Sequence, residues 1–121
     1  MSKTIMIVDD SASLRSVVSI ALKSAGYAVI EGCDGRDALR KLDGQKVNLI
    51  ISDVNMPNMD GIEFVTTLKQ NTSYRFTPVL MLTTESDDSV KARGRAAGAK
   101  AWMVKPFQPD TLVAAVQKLV A

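Results

Sequence analysis

Polar residues follow directly on four short apolar runs in this chain. Asp9 and Asp10 come after Ile5-Met6-Ile7-Val8, and Asp53 after Leu49-Ile50-Ile51-Ser52. Thr83 and Thr84 come after Val79-Leu80-Met81-Leu82, and Lys105 after Ala101-Trp102-Met103-Val104. Taken singly, each reads as a polar strand end or a helix cap. Gathered on one rim, three carboxylates repel, by about 4 kcal/mol per pair at ~4 Å and an effective dielectric of ~20. Such a set suits a hard divalent cation, and Mg²⁺ takes one or two carboxylates together with water and phosphate oxygens. A lysine and a hydroxyl beside that cation complete the parts that stabilise a transferring phosphoryl group. A carboxylate can itself be the nucleophile and form an acyl phosphate. Charge alone does not choose among the three aspartates. The adjacent pair Asp9-Asp10 reads as a metal clamp, which leaves Asp53 as the nucleophile.

These residues meet only if the strands that deliver them lie parallel and end on one edge. The chain alternates apolar runs with amphipathic segments. Leu14, Val17, Val18, Ala21 and Leu22 recur at helical spacing after the first run, with Gly26 as the stop. Ala28-Val29-Ile30 is a second, weaker strand. Asp34 reads as the cap of a helix carrying Ala38, Leu39 and Leu42 and closed by Gly44. Ile62, Val65 and Leu68 mark a third helix. Residues 87 to 97 read as a poor one, with an alanine face and an internal Gly94 that costs about 1 kcal/mol relative to alanine. Pro109 suits the first turn of a last helix bearing Leu112, Val113, Val116, Leu119 and Val120. Five strands alternating with five helices predict an α/β fold, a doubly wound parallel sheet covered on both faces. Ligands bind such sheets at the ends of the strands, where the winding reverses.

Composition narrows the chemistry. The 121 residues suit one domain, and a net charge of +2 argues for neither nucleic acid nor a membrane surface. No apolar run approaches a bilayer span, and the N-terminus does not read as a signal peptide. The single cysteine, Cys33, cannot form an intrachain disulfide and is expected to be a small structural residue in a cytoplasmic protein. The methionines are expected in the core. With no histidine, the chain holds neither a Ser-His-Asp triad nor a Cys-His pair, nor a zinc site built from His and Cys. Lys91, Arg93, Arg95 and Lys100 cluster about the fourth helix, as on a solvated face, with a weak preference for acidic partner segments.

The motifs IMIVDD, ISDVNMPNMDG, PVLMLTTE and KPF at 105–107 resemble those of response regulator receiver domains, CheY-like single-domain members most closely, over the whole chain. The resemblance implies a flavodoxin-like sheet in the order 2-1-3-4-5 and a single receiver domain over 1–121 with no output domain. It implies that Asp53 accepts a phosphoryl group from a histidine on a separate kinase. Asp10 and Asp53 would ligate Mg²⁺ together with the backbone carbonyl of Asn55, and Asp9 would act mainly through a metal-bound water. Thr83 would hydrogen-bond a phosphoryl oxygen, Lys105 would pair with Asp53 or its phosphate, and the Lys105-Pro106 peptide would be cis. Asn55 and Glu85 would border the phosphoryl group and tune its hydrolysis. Pro57 and Gly61 read as turn residues that present the Asn55 carbonyl. Trp102 stands where relatives commonly carry Tyr or Phe. Phosphorylation is expected to turn it inward as Thr83 moves, remodelling helix 4, strand 5 and helix 5.

The expected function is a phosphorylation-activated switch, with a histidine kinase as donor and a target in chemotaxis signalling, such as a flagellar motor component. The competing reading is a Mg²⁺-dependent phosphohydrolase with an aspartate nucleophile, which needs a general acid and a substrate pocket that 121 residues barely accommodate. A flavodoxin-like cofactor binder needs a Ser/Thr/Gly-rich phosphate loop after the first strand, where this chain has Asp9-Asp10-Ser11-Ala12-Ser13. No G-x-G-x-x-G follows a strand, which argues against a dinucleotide site.

Overall fold

The computed structural model describes residues 3–84 and 88–120. In chain order the elements are β1 (Thr4–Val8), α1 (Ala12–Ser24), β2 (Ala28–Gly32), α2 (Gly35–Leu42), β3 (Leu49–Asp53), α3 (Gly61–Lys69), β4 (Val79–Thr83), α4 (Asp88–Ala97), β5 (Ala101–Val104) and α5 (Pro109–Val120). The strands form one parallel sheet in the order β2-β1-β3-β4-β5. This is the flavodoxin-like, doubly wound arrangement that the sequence led us to expect. The switch in winding falls between β1 and β3, which pair directly, Val8 opposite Ser52.

The pleat sorts the apolar strand residues to two faces. Met6, Val8, Ile50 and Met81 meet Ala38 and Leu42 of α2, Phe64, Val65 and Leu68 of α3, and Val90 and Ala97 of α4. Ile5, Ile7, Leu49, Ile51, Leu80 and Leu82 meet Val18 and Leu22 of α1 and Leu112 and Val116 of α5. Every residue of β3 and β4 is buried, as strands covered on both sides must be.

Side-chain caps set the helix starts. The oxygens of Ser11, Asp34 and Asp60 accept the N–H groups of Leu14 (3.2 Å), Asp37 (2.8 Å) and Glu63 (2.8 Å). Gly26 and Gly44 take the positive φ values, 97° and 81°, that end α1 and α2. Asp53 and Thr83 are the last residues of their strands rather than the first residues beyond them. Neighbouring ladders extend to both, Asp53 opposite Leu82 and Thr83 opposite Val104. Described methionines fill gaps as expected, Met6 and Met81 fully buried. Cys33 is exposed, and what it contributes is its backbone N–H, bonded to Asp37.

Candidate functional site

Because β1 and β3 are adjacent and parallel, Asp9 and Asp53 leave the sheet side by side. One carboxylate oxygen from each of Asp9, Asp10 and Asp53 lies within 4.8 Å of the others. Asp9 and Asp53 are buried and Asp10 is exposed. The Lys105 ammonium, arriving from the end of β5, stands 3.0 Å from Asp9 Oδ2 and 3.2 Å from Asp53 Oδ2. It therefore bridges two carboxylates, where the expectation named only Asp53. Asp9 Oδ1 accepts the Ser11 N–H at 2.8 Å, and Asp53 Oδ1 the Asn55 N–H at 3.4 Å.

Three carboxylates against one ammonium leave an excess of two negative charges on this rim. Burial, and then the charge of Asp9, push the Asp53 carboxyl above its ordinary value, while Lys105 pulls it back. Burial works against the Lys105 ammonium, but the hydrogen bond to Asp9 and the charge of Asp53 outweigh it and hold Lys105 above its ordinary value. The donor set is all oxygen, close together and short of positive charge, which fits Mg²⁺.

The loop from β3 to α3 is pinned in place. A Cβ on Gly61 would collide with the carbonyl oxygen of Asp53 and lie 2.9 Å from the Cα of Val54. The Gly61 N–H donates to the Val54 carbonyl at 2.8 Å. Gly61 is thus the point where α3 presses on the strand end, a stronger requirement than shaping a turn. Asn58, at φ 67°, donates to the α2 cap Asp34 at 3.0 Å, and Met59 packs where a Cβ on Gly35 would stand. Asn55 is exposed at the mouth of this loop.

On the other side, Thr83 is 1% exposed, and its carbonyl accepts the Lys105 N–H at 2.8 Å. The Lys105-Pro106 peptide is cis. Trp102 lies opposite Met81 and packs on α4: a Cβ on Gly94 would collide with its Cζ2 and lie 2.6 Å from its Cη2. The glycine read as a weak point in α4 is the seat of the indole. The indole Nε1 is buried without a hydrogen-bond partner among the described residues. Glu85 lies outside the described residues.

Sequence reasoning missed Arg15. Its guanidinium donates to the Asp9 backbone carbonyl at 2.5 Å and pairs with Glu31 at 3.3 Å, tying the start of α1 to the site. The only signal was its place on the second turn of the helix that follows Asp9-Asp10.

Residues 5–117 match the response regulator receiver domain. The chain belongs to that family. The Vibrio cholerae chemotaxis protein CheY4 is 47% identical, its structure superposing with a TM-score of 0.95 over 98% of this chain and 99% of that one. Pseudomonas aeruginosa protein PilG is 35% identical over 93% of this chain and 84% of its own length. The Bacillus subtilis alkaline phosphatase synthesis regulator PhoP is 38% identical over 99% of this chain, which spans about half of PhoP (49%). This receiver domain is a phosphoacceptor switched by phosphorylation, partnering a histidine kinase and a downstream effector, rather than an enzyme turning over a substrate. No described helix is long and apolar enough to cross a membrane.

Proposed function

We propose that Asp53 is the phosphoacceptor of this receiver domain and that Asp9, Asp10 and Asp53, with the Asn55 carbonyl, are its Mg²⁺ ligands. The observation that carries this reading is the meeting of Asp9, Asp10, Asp53 and Lys105 at the ends of β1, β3 and β5. An Asp53 oxygen attacks the phosphorus of a kinase phosphohistidine. The P–N bond breaks, its electron pair returns to the imidazole, and an acyl phosphate remains on Asp53. Lys105 and the Thr83 hydroxyl donate to the phosphoryl oxygens, and Asn55 and Glu85 set how fast water reaches the adduct. When bound, Mg²⁺ offsets the negative charge that carboxylates and phosphoryl group accumulate. Thr83 and Trp102 act as the switch pair, carrying the change to α4, β5 and α5.

The likeness to a chemotaxis protein across nearly the full length of both chains supports a cytoplasmic role in chemotaxis, with a flagellar motor component or another member of that machinery as target. Incubation with Mg²⁺ and acetyl phosphate tests the core of the proposal. One labile phosphoryl group per chain is expected in the wild type and none in Asp53→Asn. Rapid turnover of many donors would favour a phosphohydrolase, and an adduct surviving in Asp53→Asn would place the acceptor elsewhere.

A further inference from the structure

The opposite edge of the sheet carries a second surface of opposite sign. Between α3 and β4, Phe76 is 89% exposed. The segment that bears it is held firmly. Lys69 Nζ donates to the carbonyls of Tyr74 (3.3 Å), Arg75 (3.0 Å) and Thr77. Tyr74 is buried, with its hydroxyl 2.7 Å from the Gln45 carbonyl and 3.0 Å from that of Leu42. Phe76 is therefore held in solvent by an ordered turn, forgoing the roughly 1.5–3 kcal/mol that burying such a side chain gives.

Two grooves meet at Phe76. One, of about 460 Å³, is lined by Arg75, Arg95, Lys100 and Leu119 among others; the second, of about 530 Å³, includes Lys46. No carboxylate among the described residues lines either groove. Arg75, Arg95 and Lys100 are exposed, and no described group pairs with them. The small net charge of +2 hides this polarity, because Asp9, Asp10 and Asp53 sit at the other ends of the strands.

We infer that this edge is a docking surface for an acidic segment of a partner protein that presents an apolar side chain to Phe76. Charge complementarity sets the sign: unpaired cations attract carboxylates here, and the acidic rim repels them at the other end. Shape favours an extended polypeptide, whose acidic side chains reach the groove walls while its apolar residue covers the ring. A flat bilayer meets the ridge and leaves the grooves unfilled. A nucleic-acid strand calls for successive stacking aromatics, and Phe76 stands alone beside the buried Tyr74. The surface lies at the other ends of the strands from Asp53, so docking here does not require the phosphoryl group.

The test is fluorescence anisotropy with a short fluorescein-labelled peptide of glutamates around a central Leu-Phe pair, titrated with the full chain. Saturable binding is expected, weakening with added salt and falling at least ~10-fold in Arg95→Glu/Lys100→Glu and in Phe76→Ser. These side chains are exposed, so circular dichroism and the acetyl phosphate reaction should be unchanged, and Asp53→Asn should bind the peptide normally. Absence of binding, or equal binding by the charge-reversed variant, overturns the inference. So does tighter binding to phosphatidylserine vesicles or to a single-stranded DNA oligomer, which would make either of those the occupant.

Discussion

Gly61 and Gly94 sit on neighbouring helices over one face of the sheet, and a side chain at either would collide with something. What it would hit differs. At Gly61 the obstacle is backbone, the carbonyl of Asp53 and the Cα of Val54. At Gly94 it is the far end of the Trp102 side chain, which can swing away. The helices around them follow suit. α3 is capped by Asp60 and buries Phe64, Val65 and Leu68, while α4 offers mainly alanine and one half-buried Val90 to the core. The metal-facing side of the site is thus built on contacts that do not yield. The α4–β5 side rests on one adjustable ring, whose buried N–H has no acceptor among the described residues, at a cost of about 1–3 kcal/mol. This division suits the switch proposed above, which calls for fixed geometry where the phosphoryl group is received and two arrangements close in energy around Trp102.

The comparison breaks most readily at Gly61. Gly61→Ala should lose about 3 kcal/mol by urea denaturation, because α3 or the Asp53 carbonyl must shift. It should also shrink the rise in thermal midpoint on adding Mg²⁺. A variant with wild-type stability and an undiminished Mg²⁺ response would show that the β3–α3 junction is not rigid.

Asp37 tests whether the rigidity extends to α2, whose cap Asp34 holds Asn58. The Cys33 N–H, against opposing burial, and then Arg40 and Lys41 hold the Asp37 carboxyl far below its ordinary value of 3.8. Its folded-state value is depressed, so its contribution is present above pH 3.8 and is lost as pH falls through the folded value. Asp37→Asn should cost about 1–2 kcal/mol at neutral pH. The gap between variant and wild type should close as the pH drops below 3.8. A gap that stays constant in acid would remove the ionised carboxylate from the explanation.

The smallest stability effect is expected at Gly94. Helix propensity favours Gly94→Ala by about 1 kcal/mol, and displacing the indole opposes it, so net stability should stay within ~1 kcal/mol of wild type. Trp102 emission should nevertheless shift to the red as the ring moves into water. In a Trp102→Ala background the same change should raise stability by about 1 kcal/mol, since only the propensity gain remains. An unshifted spectrum in Gly94→Ala, or no gain in the second background, would mean that Gly94 is not the seat of the indole.

Much of this architecture is local, and the sequence by itself determined it. Apolar runs of four residues, the Asp34 cap and the stops at Gly26 and Gly44 act through near neighbours in the chain, so periodicity and short-range hydrogen bonding reveal them. The polar residues at the strand exits could be assigned to one rim, because parallel strands joined by helices must all end on the same edge. Only the tertiary structure decided what depends on which strands and loops lie side by side. It brought Lys105 to Asp9 as well as Asp53, laid α3 on the Asp53 carbonyl through Gly61, and placed Trp102 on Gly94. It also led Arg15 back to Asp9 and set Phe76 among cations that no described group pairs with, at the other ends of the strands from the acidic rim. The contacts of Lys105 and the surroundings of Phe76 join segments far apart in the chain and are set by sheet order. Those of Gly61, Trp102 and Arg15 join nearer residues but are set by how helices pack on strand ends, which periodicity alone does not reveal.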